Sequence, residues 1–185
     1  MPALAADDLA PVPAILAQHL AHASELLPGV AALAYAPRPR DVFDALCARA
    51  EAHLDALRIA GRAALAAASA AVRDDPDAAA VLCCLLAEQP PHATVGASPA
   101  VADQLASLLE DEDPAVRAAA RRGLRLADGR HLAGHLAVAL AAPPATLARA
   151  GAIDALAFHR LLGPAGAGRT GAARLPDPSA AVAAG

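Results

Sequence analysis

Two short acidic stretches each run into a proline and then into a helical pattern. They are Asp74-Asp75-Pro76-Asp77 and Glu110-Asp111-Glu112-Asp113-Pro114, with prolines 38 residues apart. Proline suits the first turn of a helix, where its missing N–H is not needed, and Asp113 is a good N-cap. Carboxylates there also face the positive end of the helix dipole. A helix opened twice in the same way at this interval points to a repeated pair of helices, since such repeats run at roughly 34 to 47 residues. Pro143-Pro144 makes a third opening at a shorter interval. A helix pair has an apolar face that it cannot bury alone, so neighbouring pairs must stack to build a core. The expected fold is all-α, an α-solenoid of about three to four antiparallel helix pairs with an N-terminal helical cap.

The composition agrees with close-packed helices. Of 185 residues 57% are hydrophobic, yet there is no Trp, one Tyr and two Phe. The core must therefore be built mainly from Ala and Leu, which favour helix and let helices approach closely. No run alternates with period two as a half-buried strand would. All 15 basic residues are Arg, and the net charge of −4 leaves no electrostatic footprint for nucleic acid or an anionic membrane. Cys47 and the adjacent Cys83-Cys84 do not make a disulfide framework and read as reduced, buried thiols. Asp7 and Asp8 stand where a signal peptide would carry basic residues, and no apolar run approaches the length of a membrane span. A cytoplasmic protein is expected, with no membrane and no nucleic-acid partner.

Along the chain, residues 1–38 form a leader and helical cap, whose helix is expected from Pro13 to Leu27 and interrupted at Pro28-Gly29. Residues 39–162 carry the repeats. Asp41, a plausible N-cap, opens a helix to Ala60 with Val42, Phe43, Leu46, Cys47, Leu54 and Leu57 on one stripe. Arg62–Val72 follows Gly61 at once, predicting an antiparallel hairpin. A helix from the Asp74–Asp77 opening to Glu88 is followed by one over Pro99–Leu109. Then come Pro114–Ala127, a stop at Gly129, a helix over Arg130–Leu140, and a last helix after Pro143-Pro144. Its partner is missing, so Ala152–Leu162 is expected to present an apolar face to a partner or a second copy. The Gly-, Pro- and Ala-rich residues 163–185 read as a disordered tail.

The stretch Ala52-His53-Leu54-Asp55-Ala56-Leu57-Arg58-Ile59-Ala60-Gly61 resembles a family of largely uncharacterised bacterial HEAT-repeat proteins. His19 with its apolar neighbours, the Val81–Ala87 helix and the Leu156–Leu161 stretch with His159-Arg160 fit the same family, and the likeness covers roughly residues 12–162. The Asp113-Pro114-Ala115-Val116-Arg117 opening is shared by HEAT repeats in general. The resemblance implies a HEAT-like α-solenoid that works as a protein-interaction scaffold. Some members occur in gene clusters for type VI secretion.

Few residues offer chemistry. His131 and His135, four apart, share a helix face and have the spacing of a metal pair, but no third ligand stands at a plausible spacing, and a surface or half-buried pair is the plainer reading. His19 and His22 make the same offer with the same alternative. His53 and Asp55 cannot face one another on a helix, whereas Asp55 and Arg58 can pair and read as a bridge between stacked pairs. Asp113, Pro114 and Val116 are read as repeat-stacking residues with them. Ser24, Ser69, Ser98 and Ser107 lack the context of a nucleophile. Arg117, Arg121 and Arg125 recur every four residues as a cationic ridge, either ordinary solvated surface or a grip on an acidic partner, since Arg forks hold carboxylates bidentately.

The expectation is a non-enzymatic scaffold or adaptor that binds another protein, without catalytic residue, cofactor or metal. Two alternatives stand beside it: a lyase-like HEAT protein acting on a chromophore-bearing partner, and a shortened paralogue without independent activity.

Overall fold

The computed structural model describes residues 12–34, 39–89, 101–143 and 146–160, which form helices and turns without a strand. In chain order the helices are α1 (Pro13–Leu33), α2 (Arg40–Ala60), α3 (Arg62–Ala71), α4 (Ala78–Ala87), α5 (Val101–Glu110), α6 (Pro114–Leu126), α7 (Leu132–His135), α8 (Ala137–Ala141) and α9 (Leu147–Phe158). None of them is long and apolar enough to cross a membrane. The expected leader before Pro11, the loop through Pro99 and the tail beyond Arg160 lie outside the described residues.

Helix α4, Ala-Ala-Ala-Val-Leu-Cys-Cys-Leu-Leu-Ala, has no polar face, and a helix apolar all round must be enclosed. All ten of its residues are buried. It packs against α6 above all, and against α3, α1, α5 and α2. At α6 the approach is close where Gly123 meets the backbone of Ala80. A Cβ built on Gly123 would lie 2.3 Å from the Ala80 carbonyl oxygen. Only a residue without a side chain lets the two helices come so near. Gly151 of α9 similarly leaves room for Leu109 of α5.

The local signals are partly realised. Asp113 caps α6, its side chain accepting from the Ala115 N–H at 2.7 Å, and Pro114 is the first helical residue. The other acidic opening works differently. Pro76 stays in a turn whose Asp77 N–H donates to the Asp75 carboxylate at 3.0 Å, and α4 begins two residues later. The cap expected at Asp41 is displaced, for Pro39 holds the N-cap position and Asp41 lies in the first turn of α2. The last helix starts at Leu147 rather than at Pro143-Pro144, because the Thr146 hydroxyl caps it by accepting from the Arg149 N–H. The helix expected over Arg130–Leu140 is split at Leu136 into α7 and α8.

Two larger differences concern packing. The first helix continues through Pro28 to Leu33. An internal proline costs about 3 kcal/mol, but Leu27 and Val30 on either side are both buried, and their burial offsets that cost. The α2–α3 pair is joined by Gly61, whose positive φ of 55° suits glycine, yet the main partner of α2 is α1, while α3 packs chiefly on α4. On α2 the burial is concentrated towards the C-terminal end, at Ala50, Leu54 and Leu57; Phe43, Leu46 and Cys47 are half-buried and Val42 is exposed.

Replacing Gly123 by Ala sets two effects against each other. Helix propensity favours Ala by about 1 kcal/mol, while the new methyl strikes backbone that cannot turn aside, an overpacking cost of about 1–3 kcal/mol or more. Net destabilisation of Gly123→Ala in urea denaturation is expected; an unchanged or raised midpoint would show that α4 and α6 are not packed this closely.

Candidate functional site

Three of the four arginines on α6 are engaged within the chain. Arg125 clamps Asp154 of α9, with Nε donating at 3.1 Å and Nη2 at 2.8 Å, and its guanidinium lies 5.9 Å from the centre of the Phe158 ring. Arg117 folds back, donating from Nη1 to the Asp111 carbonyl at 2.6 Å and to the Glu112 carbonyl at 2.9 Å. Arg121 is half-buried, with a Nε that lacks a hydrogen-bond partner. The neighbouring Arg122, outside the ridge, pairs with Asp77 at the start of α4. The ridge expected from the spacing is thus a set of ties between and within elements, because two of its three members meet acceptors brought close by folding.

Arg58 holds three carboxylates. It reaches Glu51 at 2.5 Å and Asp55 at 2.6 Å on its own helix, and makes two bonds of 2.6 Å to Glu88, just past the end of α4. The bonds to Glu88 first, then those to Glu51 and Asp55, hold the guanidinium firmly in its charged form. The link across helices therefore runs through Glu88, which the spacing of Asp55 and Arg58 does not disclose; Asp55 steadies Arg58 from the same helix. These residues line an open cleft of about 630 Å³ whose other wall is Leu126, Ala127, Asp128, Arg130 and His131. Asp113 and Val116 border a second cleft, facing Ser69, Val72 and Arg73 at the end of α3.

Among the histidines, His135 is buried and its Nε2 donates to the Gln89 carbonyl at 2.7 Å. His131 precedes the four-residue α7 and lines the Arg58 cleft, so the two do not act as a pair. His159 serves as His135 does, donating from Nε2 to the Leu124 carbonyl at 2.8 Å near the end of α6. Each imidazole satisfies a carbonyl near a helix terminus, where the helix itself supplies no donor. His19 and His22 on α1 meet His53 on α2. The Nδ1 atoms of His19 and His53 are 2.9 Å apart, and the His22 and His53 ring centres are 4.9 Å apart. Burial, with His22, His19 and Arg49 nearby, holds the His53 imidazole below its ordinary range. As the side chains stand, no set of three or more His, Cys, Asp or Glu donors among the described residues is placed around a metal ion. Ser24 is buried with an unpartnered hydroxyl, Ser69 and Ser107 are exposed, and Ser98 lies outside the described residues.

The last helix is largely covered. Ala152, Ala155 and Leu156 are buried, and α9 packs on α5, α8 and α6; of the expected apolar face over Ala152–Leu162, only Ala157 and Phe158 are apolar residues left exposed among the described residues, and Leu161 and Leu162 lie outside them. Phe158 remains 45% exposed. It borders an apolar groove of about 410 Å³ formed by Pro28, Ala31, Ala32 and Ala34 at the end of α1, with Leu126, Arg122 and Arg125 of α6. Sequence spacing gave no sign of this groove, since it joins residues about 130 positions apart. Compared with models of protein families, with curated proteins and with solved structures, the chain finds no match.

Two measurements check these assignments. Burial pushes the Cys84 thiol up to about 12 and raises Cys83 well above its ordinary range, while Cys47 is raised and only half-buried. A thiol reagent at neutral pH should modify Cys47 first and reach Cys83 and Cys84 only as the chain unfolds; rapid labelling of all three in the native protein would refute this. For the Arg58 cluster, Glu88→Ala should destabilise by about 1–2 kcal/mol, a charged hydrogen bond reduced for partial exposure. Asp55→Ala should cost less than about 0.5 kcal/mol, as for an exposed pair on one helix. Equal losses in thermal unfolding would mean that Glu88 does not carry the link between helices.

Proposed function

We propose that the protein is a non-enzymatic interaction scaffold, a HEAT-like stack of helix pairs that receives a partner protein at the Phe158 groove. The stacking reading is supported by neighbour relations. Helices α4 and α6, which follow the two acidic-proline turns, lie against each other as first helices of consecutive repeats would, and α5 packs on α7 and α8 as second helices would. A cytoplasmic location is inferred from composition, while membership of the bacterial HEAT-repeat family and a link to type VI secretion rest on the resemblance alone, clearest at Ala52–Gly61.

The observation that carries the binding role is Phe158 itself. A large aromatic left 45% exposed over a groove of alanine, proline and leucine, in a chain with three aromatic residues, has the anatomy of an interface anchor. Arg122 and Arg125 frame the groove while their pairs with Asp77 and Asp154 hold them in position. They supply a fixed polar rim around an apolar floor. The partner suited to this groove presents an apolar side chain to Phe158.

Phe158→Glu puts a charge over the groove without disturbing the buried side of α9. In affinity capture from the native cell, a partner held by the unaltered protein should be lost at least tenfold in the Phe158→Glu variant, with the helical circular dichroism unchanged. Undiminished capture would remove the groove from the interface. A dimer abolished by the same substitution in sedimentation would identify the partner as a second copy.

A further inference from the structure

We propose that His19, His22 and His53 are a binding site for a divalent transition-metal ion of the zinc class, formed by the contact of α1 with α2. His19 and His22 are three apart and share a face of α1. Helix α2 runs antiparallel to it, as the pairing of residue 19 with 53 and of 29 with 46 shows, and brings His53 up opposite them. Three imidazoles thereby meet across two helices whose mutual packing is the most extensive in the chain.

The spacings suit a shared ion. Imidazole nitrogens bind zinc at about 2.0–2.1 Å, so two on one tetrahedral ion stand about 3.3 Å apart and their ring centres about 5 Å apart. Here the His19 and His53 Nδ1 atoms are 2.9 Å apart, the His19 and His53 ring centres 5.1 Å, and the His22 and His53 centres 4.9 Å. His53 already stands from each of its two companions as one ligand stands from another. What occupies the place of an ion between the His19 and His53 nitrogens is the proton of their hydrogen bond, which one ring holds facing the other. Moving that proton to Nε2 frees both Nδ1 lone pairs with no net change of charge. His22, which makes a ring contact and no hydrogen bond among the described residues, then needs only a side-chain rotation to aim a nitrogen at the ion. All three rings are half-buried, which leaves an approach for the ion and a fourth position for water. Arg49, one turn before His53, is the cation nearest in sequence; its side chain is exposed and its charge screened by solvent.

The test adds zinc chloride, and separately cobalt chloride, to the full chain freed of metal. Calorimetry should give one zinc per chain, and cobalt should develop the visible absorption of a four-coordinate nitrogen site. His22→Gln is the decisive variant because that ring makes a ring contact with His53 and no hydrogen bond among the described residues; it should weaken zinc binding at least tenfold with unchanged helical content. His53→Gln should do the same, and where it unfolds the chain the His22→Gln result stands alone. His131→Gln should bind as the unaltered protein does. Absence of one-to-one uptake, or uptake that survives His22→Gln, overturns the proposal.

Discussion

The structure depends on the approach of α6 to α4. Ten apolar residues without a polar face must be surrounded, and α6 covers them most closely because Gly123 lies directly on the Ala80 backbone. The Cys84 thiol, 3.5 Å from the Gly123 carbonyl, fills the next position along the same seam. Close approach compensates for small side chains: alanine buries little area, so the packing must bring backbone near backbone to gain comparable dispersion. With α4 enclosed, α1 and α3 on one side and α5 on another have fixed positions, and α9 follows through α5 and α6.

Around that seam the charged side chains tie elements together. Arg122 joins α6 to the start of α4, Arg125 joins α6 to α9, and Arg58 joins α2 to the end of α4. Histidines do related work at helix ends, where His135 and His159 each donate to a part-buried carbonyl. A core of alanine and leucine is adaptable in register, since its small side chains interlock weakly. Bidentate arginine pairs and directed imidazole bonds restrict which register is kept.

The two proposed binding surfaces lie where this covering stops. The Phe158 groove opens between the end of α1 and the α6–α9 contact, and the histidine cluster lies on the α1–α2 seam. Both require α1, which extends past Pro28 and so reaches Arg122 and Leu126. Had the helix ended at Leu27, Ala31 and Ala32 would not stand opposite Phe158.

The sequence by itself determined the helical class, the centres of most helices and some of the local devices. The Asp113-Pro114 cap, the burial of α4 and the inert setting of Cys83 and Cys84 all follow from side chains acting within one or two turns. The Asp55–Arg58 pair was legible for the same reason. Tertiary structure decided everything that depends on which helices meet. The α2 stripe indicates that a partner exists, but an apolar stripe of Ala and Leu does not specify whether α1 or α3 fills it. Glu88 as the acceptor that carries Arg58 across to α4, His53 as the companion of His19 and His22, and Asp154 as the counter-ion of Arg125 are separated in sequence by 29 to 34 residues. Helical periodicity relates a residue to its neighbours three and four away, and carries no information at those distances.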